Sequence, residues 1–349
     1  MLTRPGERPL TIVNVCYPFA PVSADPVGGA EQVLARIDQA LVAAGHHSIV
    51  IAPAGSATDG ALWPIGVPEG PLDAKARAGV HAEVRARIAH AIEQERPDAI
   101  HLHGVDFSDY LPEPGLPVLV TLHLPLDWYA PEALHCDRRA TFFYPVSKSQ
   151  ANLAPAGIRL QPPIENGVPL SDLVLPKQRF AAALGRICPE KGFDDAIDAA
   201  KRANVPLLLA GQLFPYPEHR RFFETRVLPR LDRARRWIGA VAGRRKQRLL
   251  ARARCLLVPS KVAETSSLVA MEAIAAGTPV IAYRAGALPE IVEDGRTGFL
   301  VDGPDEMANA IRLVDTISPN ECRARARERF PVERMTNAYL TRYREPGSR

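Results

Sequence analysis

Short apolar runs, rich in β-branched residues and bounded by proline, glycine or aspartate, recur along this 349-residue chain. Thr11–Val15, Ser48–Ala52, Ala99–His103, Val118–His123 and Phe142–Val146 come first, with helical patterns over Ala30–Ala44 and Ala74–Glu95 among them. A strand buried on both faces reads as a continuous apolar run, and its alternation with helices specifies βαβ units and a parallel sheet. Residues 1–168 are therefore expected to form one doubly wound α/β domain. Pro162, Pro163, Pro169 and Pro176 crowd the stretch Gln161–Lys177, and the linker is placed at residues 169–178. The alternation then restarts. Strands are expected at Ala181–Leu184, Pro206–Ala210, Trp237–Ile238, Cys255–Pro259, Pro279–Ala282 and Gly298–Val301. Helices are expected at Phe193–Ala203, Glu218–Arg235, Arg244–Arg254 and Leu268–Ala276, with Pro229 kinking or splitting the second. Residues 179–330 are thus a second α/β domain. The last segment, 331–349, carries a helix over Val332–Arg344 that opens behind Pro331 and is expected to return to the first domain. Ligands of open α/β sheets bind beyond the carboxyl ends of the strands, so functional residues should follow strands, and two such domains can enclose a cleft.

Composition removes several alternatives. With 46% hydrophobic and 23% charged residues the chain is too apolar for disorder. Its 33 prolines, nearly twice the usual ~5%, exclude a helical bundle. A net charge of +4 gives no reason to expect nucleic acid. Cys16, Cys136, Cys188, Cys255 and Cys322 are scattered without a Cys-x-x-Cys pair, which argues against a disulfide framework and against a thiolate zinc site. No apolar run approaches ~18 residues, and the start lacks a signal-peptide layout. A cytosolic chain is expected, with membrane contact at most peripheral.

The segment Cys255–Val301 carries the most chemistry. A strand is followed by a loop with Glu264, then by a helix from Leu268 that Ser266 or Ser267 can cap and Gly277 can end. The amides at such a helix start form a ready anion site. Glu272 lies about 7.5 Å up the axis from Ser267, where the ribose of a helix-seated nucleotide diphosphate would fall. Glu264 lies on the side where the attached sugar would fall. Two glutamates eight apart are usually a loop charge and a solvated helix residue. Here Glu272 sits between Met271 and Ala273 in an apolar helix, and a buried glutamate without a partner is rare.

Glu264 and Glu272, followed by Ala276–Gly277–Thr278–Pro279–Val280, Gly286–Ala287–Leu288–Pro289–Glu290 and Asp294–Gly295–Arg296–Thr297–Gly298, resemble the signature of the retaining glycosyltransferases of family 4, the group 1 transferases. Gly28–Gly29–Ala30–Glu31, the His-Leu-His run at 101–103, Thr121–Leu122–His123, Val146–Ser147 and Glu165–Asn166–Gly167–Val168 extend the resemblance in order. It implies a GT-B fold: two facing Rossmann-like doubly wound parallel-sheet domains with a cleft between them, acceptor side first and donor side second.

Arg186 and Lys191 follow a strand end, and a guanidinium fork with a point charge suits a diphosphate. The resemblance implies that both bind the leaving phosphates. It further implies a catalytic set of Arg186, Lys191, Glu264 and His123, with His123 facing the donor sugar. The implied donor-binding set is Gly28, Gly29, Gly211, Ser267, Leu268, Val269 and Glu272. His101 and His103 stand between cleft and packing roles. Two departures concern the donor contacts and the acceptor. Thr265–Ser266–Ser267–Leu268 replaces the Pro-Phe-Gly often found after the first glutamate, and the chain is short around residues 53–80.

The expected activity is transfer of a sugar from a nucleoside-diphosphate donor, with uridine favoured, to an acceptor such as a glycan, lipid or small metabolite. Retention by front-face attack is implied, with the departing phosphate accepting the acceptor's proton. No cofactor is expected, and with no Asp-x-Asp motif no metal either. Neither a dinucleotide Gly-x-Gly-x-x-Gly nor a P-loop is present. The alternatives are a catalytically silent GT-B scaffold subunit or a GT-B sugar-nucleotide epimerase. Residues 220–254 carry thirteen basic and two acidic residues, a solvated helical face or an attraction to anionic lipid headgroups.

Overall fold

The computed structural model describes residues 8–23, 28–70 and 72–346. The chain divides into two units. One takes the residues up to Glu165 and those from Glu333 onward; the other is Asn166–Val332.

Among the described residues, the first unit has six strands: β1 (Thr11–Val15), β2 (His47–Pro53), β3 (Ala61–Ile65), β4 (Ala99–Leu102), β5 (Val118–Leu122) and β6 (Thr141–Pro145). All pair in parallel, in the order β3-β2-β1-β4-β5-β6. β3 was not expected. It carries Pro64 and is only partly buried, which a strand tolerates at a sheet edge but which erases the continuous apolar signal. Helix α1 (Gly29–Ala43) follows β1 and helix α2 (Ala74–Glu95) follows β3. Asp73 caps α2 by accepting from the Ala76 amide at 2.8 Å, and Val80, Val84, Ile88 and Ala91 bury one stripe in the core. The helix Val332–Arg344 also belongs here. Its Tyr339 and Tyr343 hydroxyls meet Thr121 Oγ1 at 2.9 Å and His101 Nδ1 at 2.7 Å.

The second unit repeats the plan: β7 (Ala181–Leu184), β8 (Leu207–Ala210), β9 (Arg235–Trp237), β10 (Cys255–Val258), β11 (Val280–Tyr283) and β12 (Gly298–Val301), all parallel. The order is β12-β11-β10-β7-β8-β9, so the strand sequence reverses between β7 and β10, as it does between β1 and β4. Helices α3 (Phe193–Arg202), α4 (Pro217–Phe222), α5 (Gly243–Arg252), α6 (Leu268–Ala275), α7 (Pro304–Leu313) and α8 (Pro319–Arg329) cover it. α3 and α7 bury Ala196, Ile197, Met307 and Ile311 on one face. α6 and α8 bury Met271, Ile274, Cys322 and Ala326 on the other.

The expected helix Glu218–Arg235 is broken. α4 ends at Phe222, a wide turn runs Phe223–Val227, and a tight turn at Leu228–Arg230 holds Pro229. Pro229 has no amide to continue a helix, and Arg235 already belongs to β9. The basic run is partly neutralised within the protein. Arg226, Arg230, Arg235, Lys246 and Arg254 pair with Asp194, Asp198, Asp232, Glu272 and Asp315. No helix among the described residues is long and apolar enough to cross a membrane.

Candidate active site

The reversal between β7 and β10 brings two loops together, because ligand crevices open where neighbouring crossovers depart to opposite faces. The loop after β7 holds Gly185, Arg186 and the tight turn Pro189–Lys191. The loop after β10 holds Ser260, Lys261 and Glu264. Lys261 N donates to the Glu190 carbonyl at 2.8 Å. Gly192, at φ +60°, seats α3 so close that an added Cβ would lie 2.1 Å from the Pro259 carbonyl oxygen. On this frame Lys191 Nζ donates to Glu264 Oε1 at 2.5 Å, and Ser260 Oγ donates to the same oxygen at 2.6 Å. The Glu264 side chain is 9% exposed and that of Lys191 28%. Arg186 is partly buried on the same loop.

Asp194, in the first turn of α3, anchors the frame. It is 2% exposed and bonds Lys261 Nζ at 3.0 Å and Arg226 Nη2 at 2.8 Å. Burial alone would raise its carboxyl; Lys261 and Arg226 outweigh burial and hold it below the ordinary range.

α6 departs from expectation at its start. Ser267 occupies the cap position, but its side chain makes no capping bond among the described residues. Ser266 Oγ is buried with no hydrogen-bond partner there either. The first amides of α6 are therefore not taken by a serine hydroxyl. Glu272 is not the isolated carboxylate its surroundings suggested. Lys246 Nζ, from α5, donates to its Oε1 at 2.9 Å, with side chains 15% and 17% exposed. Gly211 has a packing reason to be glycine: an added Cβ would lie 1.8 Å from the Gly185 carbonyl oxygen.

In the first unit, Gly28 is the cap residue of α1 and Gly29 its first residue. An added Cβ at Gly28 would lie 1.8 Å from Glu31 Oε2, so the protein's own carboxylate folds back over this helix start. His123 follows β5, and its Nε2 lies 3.0 Å from His103 Nδ1. Burial pushes the His123 imidazole down to about 3 and holds His103 well below the ordinary range. His103 Nε2 is buried without a hydrogen-bond partner among the described residues. His101 is a packing residue, bonded through its ring nitrogens to Tyr343 and Thr121.

Ser260, Lys246, Asp194 and Lys261 were not among the residues singled out. Ser260 was signalled by its place just after a strand, and Lys246 and Lys261 by belonging to a set of only seven lysines in the whole chain.

Comparison of shape places both units in the GT-B fold. Sucrose-phosphate synthase from Thermosynechococcus elongatus superposes with a TM-score of 0.78 at 20% identity, covering 96% of this chain and 98% of that one. HepE of Anabaena, in complex with UDP and glucose, gives 0.75 at 19% identity, covering 96% and 100%. In sequence, "Glycosyl transferases group 1" matches residues 172–329 and "Glycosyltransferase Family 4" matches residues 27–162. The chain belongs to the group 1, family 4 glycosyltransferases. D-inositol 3-phosphate glycosyltransferase of Streptomyces scabiei is 55% identical over 64 residues, which span 18% of this chain and only 14% of that relative.

Proposed function

We propose that this chain transfers a sugar from a uridine-diphosphate sugar to an acceptor with retention of anomeric configuration. The observation that carries the reading is the convergence of Lys191 and Glu264 on one crevice of the second sheet, with Arg186 on the same loop as Lys191. Cations for a leaving diphosphate then stand beside a carboxylate for the sugar. The UDP and glucose bound by HepE support the choice of donor.

In this mechanism the donor's phosphates lie against Arg186, Lys191 and the amides of Ser267, Leu268 and Val269. As the glycosidic bond breaks, negative charge grows on the β-phosphate. Donors fixed in advance stabilise it without reorganising. The departing phosphate takes the acceptor's proton on the face from which it leaves. These groups supply the stabilisation that a metal gives elsewhere, so transfer is proposed to need none. Glu272, steadied by Lys246, binds the ribose. His123, neutral throughout the working range, is assigned a hydroxyl of the donor sugar; Gly28 and Gly29 are assigned phosphate or acceptor contact.

A thermal-shift panel of uridine, guanosine and adenosine diphosphate sugars tests the reading, since a ligand that binds only the native state raises the melting temperature. The uridine donors should give the shift. Silence across the panel would leave the scaffold alternative in place. Glu272→Ala should weaken donor binding, and Lys191→Ala should lower turnover by orders of magnitude. Near-normal values for either variant remove the corresponding role.

A further inference from the structure

Three metal-ligating side chains meet outside the groups assigned to transfer. Cys188 and Glu190 alternate with Arg186 along the loop after β7, and His219 comes from α4. The Cys188 sulfur, a Glu190 carboxylate oxygen and a His219 ring nitrogen all lie within 4.8 Å of one another. Ligand atoms around a tetrahedral zinc stand roughly 3.3–3.8 Å apart, from bonds of about 2.0–2.3 Å, so closure needs a contraction of at most about 1.5 Å.

A second observation points to a ligand. His219 Nδ1 is shut off from solvent and has no hydrogen-bond partner among the described residues. Buried polar groups are nearly always paired, so this nitrogen is an exception that an ion would explain. Cys188 is 1% exposed, with its sulfur 3.6 Å from the Arg186 carbonyl oxygen, whereas Glu190 and His219 keep partial exposure. The cluster thus has a closed thiol end and an open end by which an ion can enter.

We propose that Cys188, Glu190 and His219 bind a zinc ion that ties α4 to the loop carrying Arg186 and Lys191. The donor set selects the metal. A thiolate with an imidazole and a carboxylate suits borderline-soft zinc, whereas magnesium and calcium take oxygen ligands. Binding releases the Cys188 thiol proton to solvent. Three protein ligands leave a fourth position for water. The ion takes no part in transfer; it adds a tie to a loop already held by the Lys261 amide at the Glu190 carbonyl.

The test uses the full chain, stripped with a chelator and titrated with Zn²⁺ and then Co²⁺. One equivalent of Zn²⁺ should bind saturably and raise the melting temperature. Co²⁺ should bring a thiolate-to-metal charge-transfer band in the near ultraviolet. Cys188→Ser should remove that band and weaken Zn²⁺ binding at least tenfold. Cys136→Ser, at the one cysteine that is not buried, should leave both intact. If Cys188→Ser does not fold, Glu190→Gln and His219→Ala carry the same tenfold test at partly exposed positions. No saturable Zn²⁺ binding to the wild type, or a band that survives Cys188→Ser, overturns the proposal. The proposal names its loop from the transfer reading but is measured independently of it. Zinc binding without any nucleotide-sugar shift would overturn that reading alone.

Discussion

Gly286 offers a way to move Glu264 without altering any side chain of the site. Its φ is +58°, and an added Cβ would lie 2.2 Å from the Glu264 carbonyl oxygen and 2.5 Å from its nitrogen. Both atoms are backbone, so no rotamer can relieve the contact. The same carbonyl accepts from the Ala287 amide at 2.7 Å, which ties the two loops together. Restoring an ordinary separation requires Glu264 to retreat by about 1 Å. If Glu264 stands beside the reacting centre as proposed, a shift of that size can cost about 10²-fold in rate. The left-handed backbone adds about 1–2 kcal/mol for an L side chain. Gly295 isolates that second effect: its φ is +75°, and nothing among the described residues lies within 4 Å of the added Cβ. Gly295→Ala should therefore lose the strain energy alone, a melting shift of about 2–8 °C at roughly 2–4 °C per kcal/mol. Gly286→Ala should lose at least as much stability and about 100-fold in kcat. The assay is the initial rate of nucleotide release from the donor that the thermal panel selects, measured on both variants. If the two turn over equally fast, the position of Glu264 does not govern the reaction, and the reasoning fails.

Three other perturbations test separate parts of the structure. His123 is pushed down to about 3, with His101 and His103 also well below the ordinary range, all chiefly by burial. Below about pH 6.5 the unfolded chain binds protons that these folded rings refuse, so stability should fall as the pH drops toward 3. Urea midpoints between pH 7 and pH 5 should show that slope, and His123→Asn should flatten it. Asp194→Asn should cost about 1–3 kcal/mol at pH 7 by removing the buried negative charge and one of the two oxygens that accept from Lys261 and Arg226. Because the folded carboxyl is held low, that difference should shrink as acid protonates Asp194 in the wild type; a constant difference down to pH 2.5 would contradict the pairing. Lys246→Met should weaken uridine-nucleotide binding about fivefold while sparing kcat at saturating donor, by loosening Glu272. An unchanged dissociation constant would show that Glu272 holds its place unaided.

Much of the architecture was legible because parallel strands buried on both faces leave an unbroken apolar run. β1, β7 and β12 fall at the bounds read from sequence, and the other runs shift by a residue or two. The misses have physical causes. β3 lies at an edge, so half of it faces solvent and its Pro64 is tolerated. α8 buries little beyond Cys322 and Ala326, so its eleven residues carry almost no apolar stripe. The stretch after Glu218 does have helical spacing, but Pro229 and the need to start β9 at Arg235 override it.

Positions in the site were legible for a different reason from partnerships. Arg186, Lys191 and Glu264 could be placed because each follows a strand end, and strand ends at the order reversal are where ligands bind. The partners are tertiary. Lys191 meets Glu264 across 73 positions and Lys246 meets Glu272 across 26, separations with no periodicity to read. The burial of Glu272 suggested a functional carboxylate because no partner was visible; with Lys246 bonded to it, burial is explained, and the ribose role rests on its place beyond the start of α6. The cysteines show the converse. The absence of Cys-x-x-Cys was read as an argument against any thiolate zinc site, yet such motifs report only ligands that one local turn brings together. Cys188 and His219 are brought together by a loop and a helix about thirty residues apart, a pairing that the sequence reading did not weigh.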